Sequence, residues 1–510
     1  MPKICEKSGW SFEVSNMELD LIKKMSLNEP KFHPKVRAAM RLMLRNERNL
    51  YIRKCDATGE RIMSVYNDKK PFPVYKYDYW ISDEWTPPHL DYNPDKSFFE
   101  QYKELSLITP RVNLFSPFNE NCDYCNAAEK NKNCYMHILS DRSEDCYYTY
   151  GVYGCRDLID CSHMHNCELC FECMDCTDSY HCRGCFLCDN CNESDFCFDC
   201  RGCKNCFMCS GLRNQEYCIN NKPYSKDDYE EKMKQINLGS YKMWIKILEQ
   251  FLDQIVSDNS YNRMINVENS TGNFLINAKN CEDCYDLSDA EDCCHVLVGA
   301  HRIKDVGHSH SIVHGSQLIY GNVSTTESYN CHNTIGCWAT NNSCYNEFLQ
   351  NCDDCMGCIS LKRKKFCILN KQYSEEEYYK IKTQIISELG DYYGNPFPFS
   401  VATLSYQDSA FRDHFSLSKE EIDKIGWEYG KPKMPQEGNF MSTTNISDDI
   451  FEAPNEINDT FLCEKSKKPF KIIPQEIKLL KTINAPLPRY HHEVRFKKRV
   501  VLRKAEINVS

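Results

Sequence analysis

Between Cys122 and Cys218, twenty cysteines share one three-residue register. Their spacings begin 3, 9, 12, 9, 6, 6, 3, 3, 3, and every later one is again a multiple of three. Thirteen other residues occupy the register, among them Ala128, Asn131, His137, Ser140, Thr149, Val152, Leu158 and Met164. None is Asp, Glu, Lys or Arg, although the other two registers are rich in them. One position in three is therefore small and uncharged over 97 consecutive residues. An ordinary strand turns side chains inward with period two. A period of three requires a tight coil of short strands broken by turns, with every third side chain on the axis.

The array occurs twice. Cys206–Ile236 aligns with Cys355–Ile385 without a gap, and Lys132-Asn-Cys and Glu144-Asp-Cys recur at Lys279 and Glu291. The second copy keeps the stripe and loses much of the sulfur. After one phase shift near His301 it reads Gly307, His310, Val313, Ser316, Ile319, Asn322, Thr325, Ser328, Cys331, Thr334, Cys337, Thr340, Ser343. Packing tolerates such exchanges, whereas a metal shell does not. The ends are duplicated as well. Cys5, Ser8, Phe12, His33, Val36, Arg37, Arg41 and Arg45 recur 458 positions later, from Cys463 to Arg503.

The fold predicted is mainly β with flanking helices: two tandem, narrow, parallel β-helix-like solenoids capped by helices, with a small degenerate zinc-ribbon-like module at each end. The segments expected are 1–115 (ribbon-like module and extension), 116–224 (first array), 225–264 (capping and linker helices), 265–373 (second array), 374–460 (capping helix, irregular segment and linker) and 461–510 (ribbon-like module). Both 12-residue coils and wider coils with six-residue sides satisfy the spacing. Ser225-x-x-Asp228 and Ser374-x-x-Glu377 mark helix starts after each array. An apolar face from Tyr241 to Ile255 marks a helix expected between the arrays. Pro432, Pro435, Gly438 and Asp448-Asp449 mark the linker.

The opening Met-Pro-Lys-Ile-Cys-Glu has no apolar signal core, and no stretch is long and apolar enough to span a bilayer. A cytoplasmic, reducing setting follows, in which the 34 cysteines stay thiols. Cys161, Cys167, Cys173, Cys182, Cys188 and Cys197 are expected to form an inward thiol ladder used as filler; soft-metal binding and disulfides are the competing uses. Zinc ligands, if any, are Cys5, His33 and Cys55 at one end and Cys463 and His491 at the other, short of the four a structural site needs. His308, His310 and His314, with His295 and His301 nearby, are a further place to look for metal. Arg37, Arg41, Arg45 and Arg48, echoed by Arg495, Arg499 and Arg503, form helical basic stripes suited to an acidic protein surface or to phosphate. No phosphate loop, nucleophile elbow or HExxH motif occurs.

Several stretches, including 45–60 (RNERNLYIRKCDATGE), 72–85 (FPVYKYDYWISDEW), 206–225 (CFMCSGLRNQEYCINNKPYS) and 463–476 (CEKSKKPFKIIPQE), carry a resemblance over nearly the whole chain. The chain resembles a family of uncharacterised cysteine-rich proteins of phages and uncultivated bacteria. The resemblance implies zinc-ribbon-like ends, often with Cys-Pro-x-Cys-Arg where this chain has His33-Pro-Lys-Val-Arg37. Some members bear a CoA-transferase label that no motif here supports. The expectation is a non-enzymatic scaffold or interaction module that needs no cofactor and has a protein partner. Soft-metal (zinc or copper) binding and nucleic-acid association through the terminal arginines are the alternatives.

Overall fold

The computed structural model describes residues 2–257, 263–311, 314–431 and 438–502. They form two compact units that do not follow chain order. Unit I joins residues 2–114 to 263–431, and unit II joins 115–257 to 438–502. Each terminal module thus belongs with the array from the other half of the chain.

The first array is a β-solenoid. Its parallel ladder steps by 12 residues, from Glu120 through Lys132, Glu144, Arg156, Glu168, Tyr180, Asn192 and Lys204 to Glu216. With a side-chain period of three, a 12-residue coil has four short sides and four inward residues. The corners explain the period. The residue before each inward position has left-handed backbone, as at Asn133 (φ 54°), Asp145 (φ 53°), Asn166 (φ 52°) and Asp175 (φ 54°). Asn, Asp and Gly adopt that conformation at least cost, which accounts for their frequency in the array. At Gly184 (φ 64°) a Cβ would lie 2.9 Å from Phe196 one coil on.

The second array follows the same plan with two longer coils. Leu297 pairs with His310, and His310 with Val323, each 13 residues on, before the 12-residue step to Ile335 resumes. The expected single shift near His301 is therefore wrong. One residue is added before Ala300, where the pairing slips, and a second after Ser309. Ile303, Val306 and Ser309 point inward, while Gly307 and His310 face out of the coil. Val313 lies outside the described residues.

Each array ends on a short antiparallel return strand, Lys222–Pro223 or Lys371–Gln372, which pairs with its last coil and closes its edge. A helix follows, capped by Ser225 or Ser374. The helix Tyr241–Ser257 is not an end cap. It lies along the side of the first array, where Trp244 meets Phe171 and Phe196 and Phe251 meets Phe186, residues of different coils. Nor is 438–460 a free linker. Asp448 accepts from Ser240 Oγ (2.6 Å) and Lys242 N (3.1 Å), so it caps that helix. Pro432 and Pro435 lie outside the described residues.

The two ends are built alike. At the N-terminus a hairpin (Lys3–Ile4 with Ser11–Phe12) precedes helices Asn16–Lys24 and Pro34–Leu42. At the C-terminus Phe461–Leu462 pairs with Pro469–Phe470 before helices Pro474–Thr482 and His492–Leu502. In unit I Arg111 meets Glu347 of the array at 3.2 Å with Tyr102 on the same carboxylate, all buried.

Candidate functional sites in the coil interior and beneath the terminal modules

Cys161, Cys167, Cys173, Cys182, Cys188 and Cys197 are at most 1 % exposed and line the lumen of the first array. Their neighbours show what that lumen demands. The ladder uses the N–H groups of the outward and corner residues, so the inward residue's own N–H points along the axis. It reaches the side chain one coil back: Cys167 N to Cys155 Sγ (3.2 Å), Cys185 N to Cys173 Sγ (3.4 Å), Cys191 N to Ser179 Oγ (3.2 Å). In the second array Thr334 N reaches Asn322 Oδ1 (2.9 Å) in the same way. The inward side chain also donates. The Cys173 thiol has the carbonyls of Phe171 (3.4 Å) and Cys182 (3.3 Å) within reach. An inward residue must therefore be uncharged, and Val152, Leu158, Met164, Ile303 and Val306 fill their places by packing alone; where the axial bond forms, the side chain must accept and donate at once. Cys, Ser and Asn meet that demand, and a buried N–H left without a partner is costly. Every cysteine is a free thiol, and all but Cys122 are buried. Burial pushes the thiols of Cys203 and Cys344 up to about 11 and that of Cys337 up to about 12, which keeps them protonated. Near the start of the lumen Cys134, His137 and Cys146 offer ligand atoms within 4.8 Å of one another. His137 is fully buried, hydrogen-bonds Thr149 Oγ1, and is lowered to about 3 by burial.

The terminal cysteines and histidines serve their own modules. His33 Nδ1 accepts from Lys35 N (3.1 Å) and His491 Nδ1 from Glu493 N (3.2 Å), so each caps the helix after it. Cys5 Sγ accepts from Ser8 N (3.4 Å) within its hairpin turn. Cys55 lies in the turn of a separate hairpin, Tyr51–Lys54 with Arg61–Ser64, and accepts from Lys76 N (3.3 Å). Among the described residues, none of Cys5, His33, Cys55, Cys463 and His491 belongs to a group of three close metal-ligand side chains.

The arginine stripes are not surface faces. Arg37, Arg41, Arg495 and Arg499 are buried, Arg45 and Arg48 are half-buried, and Arg503 lies outside the described residues. In unit II the arginines form an ion-pair network with the first array. Arg495 bonds Asp160 and Glu476 (3.0 Å) and lies over the Tyr148 ring. Arg499 bonds Asp160 (2.9 Å), Ser162 Oγ (3.1 Å) and Tyr148 O (3.1 Å). Burial, with Asp160 nearby, raises Glu476 to about 7 against the pull of Arg495.

Unit I uses the same frame with different contents. Arg37 bonds Glu18 (2.5 Å) and Tyr320 Oη (2.8 Å), and Tyr320 donates to Glu18 (2.5 Å). Where unit II has Tyr148 and Asp160, unit I has His295 and His308, since Asp160 N reaches Tyr147 O just as His308 N reaches Cys294 O. His308 Nε2 lies 3.0 Å from Glu18 Oε2, its ring stacks on His295 at 4.4 Å, and His295 Nδ1 meets Asp283 at 2.9 Å. Burial opposes ionisation of Glu18, but Arg37 and His308 outweigh it and hold the carboxyl well below its usual range. Arg41, the counterpart of Arg499, has no ion pair among the described residues and is lowered to about 9 by burial, with Arg37 adding repulsion. A groove of about 1650 Å³ opens beside this cluster, lined by Ser11, Asn16, Met17, Glu282, Asp283 and His295 among others.

The histidines expected together are separated. His310 meets His414 (4.8 Å) and lies 4.0 Å from Glu47, whereas the exposed His314 packs on His301. Glu18, Asp160, Tyr320 and Glu476 were not singled out by the sequence reading. A signal existed for two of them, because Glu18 and Glu476 are 458 positions apart like the rest of the duplicated module.

Fold and interior together define a β-solenoid protein with an uncharged, cysteine-rich lumen. No protein-family profile matches the chain, and no curated protein matches it in sequence. Among solved structures it is similar to one labelled an acetyltransferase from Desulfovibrio desulfuricans G20. That likeness has 10% identity and a TM-score of 0.12 over 51% of this chain and 71% of that one, and it carries no argument about function.

Proposed function

We propose that this chain is a structural or interaction scaffold, not an enzyme, and that its thiols are interior material. One observation carries the reading: lumen positions held by Cys in one coil are held by Ser or Asn in another, with the same axial hydrogen bond. The partner proposed is a protein in the cytoplasm. A polyanion is less well supported, because four of the arginines that would meet it are buried. A soft-metal reading, with zinc or copper, rests on Cys134, His137 and Cys146, whose donor set suits zinc. Elemental analysis of the full chain purified under reducing conditions separates the two. The scaffold reading expects zinc and copper together at no more than about one equivalent per chain, the scale of a single site. Several equivalents per chain, lost on thiol alkylation, would replace it with the soft-metal reading.

A further inference from the structure

We infer that Glu18, His295 and His308 form a binding site for one divalent transition-metal ion of the zinc class, reached from the groove of unit I. The inference goes beyond the scaffold reading and does not depend on it. The three side chains offer ligand atoms within 4.8 Å of one another, and His308 Nε2 and Glu18 Oε2 stand 3.0 Å apart, a spacing that two ligands about 2 Å from one ion allow. Two imidazoles and a carboxylate are a set such ions accept with a position left open, and the groove beside His295 gives that position a way out.

The supporting groups are those that orient ligands. Asp283 holds the His295 ring through Nδ1, while Arg37 and Tyr320 both bond Glu18 Oε1. Glu18 Oε2 faces His308, with only a long bond of 3.5 Å from Arg37 Nη2 on it besides. His308 is 2 % exposed, and its Nε2 makes no aligned hydrogen bond despite lying 3.0 Å from that oxygen. A buried ring nitrogen beside a carboxylate oxygen at 3.0 Å but not aligned to bond it is placed as two ligands of one ion are placed. The duplicate supplies the control. Unit II keeps the Glu476–Arg495 pair but carries Tyr148 and Asp160, and there Asp160 pairs with both Arg495 and Arg499. The fold therefore does not need two histidines at this place.

The test uses the full chain stripped with chelator and titrated with Co²⁺ and then Zn²⁺. A first variant, His295→Tyr with His308→Asp, installs unit II's residues and gives Arg41 a counter-ion, so it is expected to fold. A second, His295→Gln, keeps the test sound if the first fails to fold. The original chain should bind one Co²⁺ with ligand-field absorption and no thiolate-to-cobalt charge transfer, and Zn²⁺ should displace it. Both variants should weaken binding, the double one by at least about 100-fold. The inference is overturned if the original chain binds no such ion, if thiolate charge transfer accompanies the first equivalent, or if affinity is unchanged in the variants.

Discussion

Arg41 and Arg499 are the same residue of a duplicated module in two different fates. Arg499 is held by Asp160, Ser162 and a main-chain carbonyl, whereas Arg41 is buried with no ion pair among the described residues. Breaking a buried pair from one side costs about 3–5 kcal/mol, but removing an uncompensated buried charge does not. Arg499→Met should therefore lower unfolding stability by that amount, while Arg41→Met should leave it unchanged or raise it; equal losses in denaturant melts would refute the contrast. Glu476 offers a second residue-scale test. Its folded pKa of about 7 lies above the ordinary 4.5, so the folded state holds the proton more tightly than the unfolded chain. That contribution is fully present below about 4.5 and is lost as pH rises to about 7. Stability measured across this window should fall with pH in the original chain and lose that slope in Glu476→Gln.

At the scale of the coil, the lumen selects side chains by hydrogen bonding as well as by size. Cys173 accepts from Cys185 N and can donate to two carbonyls, and serine keeps both roles. Cys173→Ala should therefore destabilise more than Cys173→Ser, by about 1–3 kcal/mol for the orphaned N–H against about 1 kcal/mol or less. Apolar packing alone would reverse that order. The period of three was readable because one residue in three faces the lumen and excludes charge, and cysteine marks that row through the first array. The two 13-residue coils were not, because Gly307 and His310 are as uncharged as Ile303, Val306 and Ser309, and composition cannot say which row faces in. The Glu18–His295–His308 cluster was unreadable for another reason. Its carboxylate lies some 280 residues before its histidines, and the arginines beside it look in sequence like a solvent-facing stripe.

For the molecule as a whole, chain order and structural order differ: the N-terminal module belongs with the second array and the C-terminal module with the first. Deleting residues 461–510 should therefore uncover Asp160 and Tyr148, and hydrogen exchange should quicken in the first array while the second keeps its protection. Loss of protection confined to the second array would contradict that assignment. With four of the module arginines buried, nucleic-acid retention should be weak and nearly independent of salt; tight retention falling steeply with salt would mean that a basic surface exists elsewhere. The central claim, that the thiols are the packed and hydrogen-bonded interior of a solenoid, is tested most directly by titrating them. Of the 34 thiols, only Cys122 stands partly open, and hydrogen bonds from the Cys125 and Cys134 thiols hold it below the usual thiol range. In the native, reduced chain about one thiol should react quickly with a disulfide reagent, the rest only on unfolding, and chelator should change nothing. Many thiols released by chelator alone, with the chain still folded, would show that metal and not packing holds the interior together.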